Sequence, residues 1–180
     1  MTGKTLVRTA ILLLAVAITS RTLAAQDFRI AGGVALPTMG RGGTVGGQGQ
    51  ASIEMGPRNS GLGVRFDVVY AQTAASALSL GDVVKNGQTT RTYAAAGGIF
   101  YRRDVRDFAP YLIAGAGAYG QTASSGVALG LNGGIGVDWA GNSTHPFMEA
   151  RIHRFRGDNG SIAVERRERS LISALVGLRF

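Results

Sequence analysis

Glu149, Arg151 and His153 stand at alternate positions in the stretch Glu149-Ala150-Arg151-Ile152-His153-Arg154-Phe155. In an extended chain alternate residues share a face, so an acid, a guanidinium and an imidazole point the same way. An imidazole beside an acid is the start of a general-base pair, but such a pair acts only on a nucleophile held within hydrogen-bond reach. No serine, threonine or cysteine lies in that stretch, and the sequence holds no cysteine at all. Its other histidine, His145, reads as part of a turn, and two distant histidines make no metal site. Gly40-Arg41-Gly42-Gly43 has the look of a phosphate loop. It lacks the Lys-Ser/Thr that reaches the phosphates and the helix that should follow, and reads instead as a hairpin connection. No catalytic residue, cofactor or metal is expected.

The remaining charged side chains make sense only with the elements that carry them. From Gly61 to Gln72, Leu62, Val64, Phe66, Val68 and Tyr70 fall on one face, and Arg65 and Asp67 on the other. This period of two, in runs of about ten residues broken by Gly, Pro, Asn and Asp, is the mark of strands. It recurs in segments 28–37, 45–56, 61–72, 90–102, 110–120, 127–139, 146–156 and 168–180. Ala51, Ile53 and Met55 oppose Gln50, Ser52 and Glu54; Ile135, Val137 and Trp139 oppose Asn132, Gly134, Gly136 and Asp138. In 110–120 the faces are ambiguous, because Tyr111, Ile113 and Tyr119 compete with Leu112, Ala114, Ala116 and Ala118. Connections short enough for hairpins make the order up-and-down and antiparallel. The longer ones, 73–89 and 157–167, then leave from the same end.

Composition narrows the class. The 180 residues suit one domain, and 28 glycines, about twice ordinary usage, call for closely packed backbone. Residues 1–25 read as a secretory signal: Lys4 and Arg8 precede a short apolar core, Ala10 to Ile18, and a small-residue exit at Ala24-Ala25. Cleavage after Ala24 or Ala25 leaves a barrel domain over 26–180. Removing Lys4, Arg8 and Arg21 from the 19 basic residues leaves 16 against 11 acids, a net charge of +5. No recognition-helix or aromatic-basic pattern directs this charge to nucleic acid, so anionic lipid headgroups are the expected partner.

Alternation alone does not say which face is wet. One face here is Gly, Ala, Ser, Thr and charge, too small and polar for a soluble core. The other is branched and aromatic, with Phe66, Tyr70, Tyr93, Tyr101 and Trp139 near segment ends, as an interfacial girdle requires. The expected fold is therefore all-β: an eight-stranded antiparallel up-and-down transmembrane β-barrel with its polar face inside. Pro110-Tyr111-Leu112-Ile113-Ala114-Gly115-Ala116-Gly117 and the ending Leu171 to Phe180 resemble the small outer-membrane barrels of the OmpA/OmpX type. That resemblance covers essentially all of the mature chain and implies a bacterial outer-membrane location. It also implies that Phe180, with Leu178 and Val176 at alternate positions before it, is the assembly signal read by the barrel-insertion machinery.

Parity places Arg29, Glu54, Arg65, Asp67, Arg102, Asp138, Glu149, Arg151 and Arg179 in the lumen. Arg65, Asp67, Asp138, Glu149 and Arg151 are expected to form a self-paired charge network there, since a buried charge is tolerable only when paired. Eight strands leave an interior filled by side chains rather than a channel. The expected role is that of a monomeric, non-enzymatic integral outer-membrane protein, structural or surface-interacting, in contact with outer-membrane lipid and lipopolysaccharide. Two alternatives stand beside it. One is a narrow small-solute pore. The other is a lipid A-modifying enzyme: the stretch around His153 is similar to lipid A deacylases, although Phe155 occupies the place of that family's nucleophilic serine and Ser161 does not replace it by motif. Asp158-Asn159-Gly160 is a tight-turn sequence, flanked by Arg154, Arg156, Arg166, Arg167 and Arg169, in a loop that would lie near anionic lipopolysaccharide.

Overall fold

A computed structural model describes residues 26–38, 45–57, 60–74, 89–122, 126–141, 143–156 and 168–180. The leader, the Gly40–Gly43 connection, the Asp158-Asn159-Gly160 turn, Ser161, Arg166 and Arg167 lie outside the described residues. The chain forms eight strands: β1 (Gln26–Pro37), β2 (Gly46–Met55), β3 (Gly61–Ala74), β4 (Thr89–Arg102), β5 (Phe108–Gln121), β6 (Val127–Trp139), β7 (His145–Arg156) and β8 (Glu168–Arg179). Each is antiparallel to its sequence neighbours, and β1 pairs with β8, so the sheet is a closed barrel. Closure matters because an open edge would leave backbone donors and acceptors without water in a membrane. The seam finishes on a reciprocal pair. Phe28 N donates to Phe180 O at 3.2 Å and Phe180 N to Phe28 O at 2.8 Å.

The connections divide by end. Residues 56–60, 103–107 and 140–144 link strands at the end that also carries Gln26 and Phe180. The longer connections leave from the opposite end. The β3–β4 hairpin extends past the expected 61–72 and 90–102, because Thr73 pairs with Thr90 and Ala74 with Thr89.

Alternation of burial follows alternation of parity. Phe28, Ile30, Val34 and Leu36 are exposed on the outer wall, and Leu129, at 79% exposure, is the extreme. The β5 ambiguity resolves with Tyr111, Ile113 and Tyr119 inside and Leu112 outside. Ile53 is outward yet buried: it lies in register between Phe28 and Phe66, whose outward rings flank it.

The lumen corrects the expectation of a small, polar interior. Phe100, Tyr111, Tyr119, Phe147 and Phe155 turn inward, with Leu171 and Leu175. Glycine makes room for these rings. A Cβ on Gly136 would collide with the Tyr111 ring, and one on Gly177 would come within 2.7 Å of the Phe147 ring. Toward the longer connections Ala35, Val69, Ala71, Ala94, Tyr119, Phe155 and Leu171 pack into an apolar cluster. Toward the short turns the lumen is charged. Gly136→Ala is therefore expected to lower the denaturation midpoint in detergent micelles, by about 1–3 kcal/mol, as for an overpacked core. Gly47→Ala, where a Cβ would meet nothing within 4 Å, should leave it unchanged.

Candidate functional site in the lumen

Five guanidiniums reach into the lumen from β1, β3, β4, β7 and β8: Arg29, Arg65, Arg102, Arg151 and Arg179. Five carboxylates meet them: Asp27, Glu54, Asp67, Asp138 and Glu149. Their formal charges cancel, which a sealed interior demands, since each unpaired ion there costs several kcal/mol.

The pairs run across the barrel rather than along it. Arg29 donates to Glu54 on β2 and to Asp138 on β6, both at 2.6 Å. Its guanidinium also lies 3.8 Å from the centre of the Phe147 ring, where the ring quadrupole attracts a cation. Arg65, 0% exposed, donates to Asp67 Oδ1 on its own strand at 2.7 Å and to both oxygens of Glu149 on β7, at 2.6 and 3.2 Å. That two-pronged grip is the strong form of the pair. Arg102 meets Glu54 at 2.5 Å and Asp138 at 3.0 Å. Arg151 donates to Asp67 Oδ2 at 2.7 Å and Asn132 Oδ1 at 3.0 Å, and Arg179 to Asp27 at 3.2 Å.

Tyr111 sits at the centre. Its hydroxyl accepts from Arg29 at 3.0 Å and donates to Glu149 at 2.8 Å, joining the Arg29 and Arg65 groups into one network. Arg65, Asp67, Glu149 and Arg151 thus form a contiguous set around Glu149 and Asp67, while Asp138 belongs with Arg29 and Arg102. Sequence reasoning passed over Asp27, although it shares the parity of Arg29, and left Tyr111 undecided; the inward rings that stack on the arginines carried no signal beyond their parity. Val176, Leu178 and Phe180 lie on the outer wall, exposed.

His153 is buried in the lumen, with Nδ1 3.1 Å from the Tyr119 hydroxyl. Phe155 stacks on Tyr119 with ring centres 4.7 Å apart. The hydroxyl that meets this imidazole is thus the Tyr119 phenol, with Phe155 stacked on the same ring. Among the described residues no group of three or more His, Cys, Asp or Glu could hold a metal.

Comparison with known proteins fits this architecture. No protein-family model matches the chain, and no curated protein matches it by sequence. Solved structures do match. Neisserial surface protein A (NspA) superposes with a TM-score of 0.57 at 16% identity, over 87% of this chain and 96% of that one. The outer membrane enzyme PagL gives 0.53 at 12%, over 86% and 98%. Ail, the attachment invasion locus protein of Yersinia pestis, gives 0.48 at 15%, over 86% and 97%. At these identities the likeness is one of fold: the chain is an eight-stranded barrel of the outer-membrane type, with an apolar outer wall and a charged lumen.

Glu149→Ala should leave the lumen one positive charge in excess, Arg65 with Asp67 as its nearest carboxylate and the Tyr111 hydroxyl without its acceptor, costing about 3–5 kcal/mol as for a broken buried pair. Asp107→Ala, at an exposed turn position, should cost under about 0.5 kcal/mol. Denaturant titration of refolded protein measures both. The double variant Arg65→Met/Glu149→Leu should recover part of the single-variant loss, because it leaves no lone charge.

Proposed function

We propose that this protein is a monomeric, non-enzymatic integral protein of the bacterial outer membrane that does not conduct. Its strands supply a rigid scaffold, and its longer connections face the cell exterior. Residues 1–25 direct export and are removed. The observation that supports this reading is the lumen, where charges are paired toward one end and an apolar cluster packs toward the other; an interior so filled favours a barrel that does not conduct. The exposed Arg91, Arg154 and Arg156 emerge on the outer wall near the longer connections. They would meet lipopolysaccharide phosphates there, by charge-assisted hydrogen bonds. A structural or surface-interaction role follows, since the wall and the loops are the parts left to act.

Purified protein should run as a compact band that shifts on boiling, and it should give no steady single-channel steps in planar bilayers. Large, regular steps would replace this reading with that of a pore.

Phe180 also serves, on this reading, as the mark recognised by the insertion machinery. Deleting it removes one half of the Phe28–Phe180 seam pair and one ring of the girdle. Refolding into lipid vesicles should suffer modestly, by roughly 1.5–3 kcal/mol, whereas yield in cellular outer membranes should collapse. Val176→Arg should behave in the opposite sense, destabilising the vesicle-refolded barrel by about 2–4 kcal/mol. Normal cellular yield without Phe180 would remove its signalling role.

A further inference from the structure

Two rows of outward side chains run across the wall in hydrogen-bond register. One is Tyr101, Leu112, Ile135, Ala150, Ala174 and Val34, one residue from each of β4, β5, β6, β7, β8 and β1. The other is Pro110, Val137, Met148, Val176 and Gly32. Arg103 continues it past Pro110, through a backbone N that donates to Pro110 O at 3.0 Å. Between the rows the wall is hollowed into an apolar groove of about 700 Å³. Leu112, Ile135, Met148 and Val176, each more than half exposed, stand along its sides. Ala150 and Ala174 face each other in register. Where larger side chains would fill the groove, they offer one methyl each.

The groove is charged at one end only. Arg103 lines it, is exposed and has no ion pair among the described residues. Asp104, next in the chain, lines the mouth of the lumen instead. Glu149, the other charged residue of the lining, is turned inward onto Arg65. Tyr101, at the same end, is a ring of the type that sits at headgroup level. From there the groove climbs. Tyr101 lies one residue from the short-turn end of β4, Ala150 five residues into β7 and Val34 eight residues into β1. Five strand spacings of about 4.8 Å separate β4 from β1, about 24 Å in all. Barrel strands lean about 40° from the membrane normal, so a line across them rises by about 15 Å. That is half the ~30 Å hydrocarbon thickness. The groove thus begins at a cation in the headgroup layer and ends one leaflet deeper, against apolar side chains.

The geometry points to a binding site on the outer wall for one membrane glycerophospholipid, with an acyl chain along the groove and the phosphate on the Arg103 guanidinium. A plain apolar wall packs against any chain and holds none. Here the hollow at Ala150 and Ala174 places chain carbons against both rows at once, and a charge-assisted hydrogen bond fixes the height of the headgroup. The site rests on the proposed function above in one respect: the short-turn end must face the periplasm, where the leaflet is phospholipid.

The test uses the full mature chain in detergent micelles, titrated with lipid and read by native mass spectrometry. Dioleoylphosphatidylglycerol carries chains and phosphate, and dioleoylglycerol the chains alone. The first should give a single saturable adduct. The second should bind about tenfold more weakly or worse, the loss expected for one charge-assisted hydrogen bond. Arg103→Gln should lower affinity for the phospholipid by about tenfold and abolish the difference between the two lipids. Ala174→Leu fills the hollow from the lipid side and should weaken both lipids alike. Both substitutions lie at exposed positions, so the boiling-dependent band shift should survive them; its loss in the parent chain would count against the membrane-barrel reading. Many adducts without saturation, equal affinity for the two lipids, unchanged affinity in either variant, or a dimer peak that excludes lipid would each overturn the site. Orientation is read separately. The chain has no cysteine, so Asp107→Cys gives a single label position at a short turn, which an impermeant maleimide should not reach in intact cells. Labelling there would overturn the orientation and with it the phospholipid source, while the micelle titration would still report on the groove.

Discussion

A guanidinium enclosed in a narrow barrel must be met by carboxylates, and here most of them come from other strands. An apolar cluster around Tyr119 and Phe155 lies on one side, and the few neutral polar partners, such as the Tyr111 hydroxyl and Asn132, carry no charge to balance a guanidinium. In such a medium the attraction between opposite charges is large, and so is the penalty for stranding either one. Five arginines therefore fix the positions of five acids. Where partners lie across the lumen, the bond also fixes the distance between strands that are not neighbours in the sheet: β1 with β6 through Arg29–Asp138, β3 with β7 through Arg65–Glu149. The sheet supplies closure and these struts supply cross-section. Glycine serves the same demand at particular places, as where the Tyr111 ring fills the space that a Cβ on Gly136 would take.

The outer wall obeys the opposite rule. Its exposed branched and aromatic residues would be a liability in water and are an asset in hydrocarbon. The rings gather toward the short-turn end, with Phe28, Tyr101, Phe108, Trp139 and Phe180 all exposed there. Tyr70 and Tyr93, 5.3 Å apart in register, sit farther along the β3–β4 hairpin. One chain thus carries two interiors, a polar one of its own making and an apolar one provided by lipid.

Much of this was legible in the sequence, because a strand declares its two faces by parity and nothing else is needed to sort lumen from lipid. Eight segments, their order and the inward side of Arg65, Asp67, Asp138, Glu149 and Arg151 could be read in this way. Parity fails where both faces are apolar: in β5, Tyr111 and Leu112 compete on equal terms, and only the space above Gly136 selects the tyrosine. It also says which face a residue takes and not which residue it meets. Partnerships such as Arg151 with Asp67, 84 positions apart, depend on barrel diameter and stagger, which no local pattern records. Asp27 was missed at a strand margin, and the left-handed φ of 54° at Arg106 arises from a turn whose sequence lacks the glycine that would mark it. The inward aromatic rings escaped notice because rings are ordinarily counted toward the membrane girdle.

The long reach of the struts bears on the order in which the barrel assembles. Arg29 cannot be neutralised by Asp138 until residues 109 positions later have arrived, and the β1–β8 seam joins the two ends of the chain. Hairpins such as β3–β4 can zip early, since their contacts are local and loop closure is cheap. Their inward arginines must then stay hydrated while the sheet is an open trough. Arg65–Asp67 on one strand and Arg29–Glu54 across one hairpin can meet early, but Arg29–Asp138 and Arg65–Glu149 can form only at the final curling. The cross-lumen pairs therefore complete themselves only as the two ends of the chain join, so that closing the sheet and neutralising its most distant ions are one event.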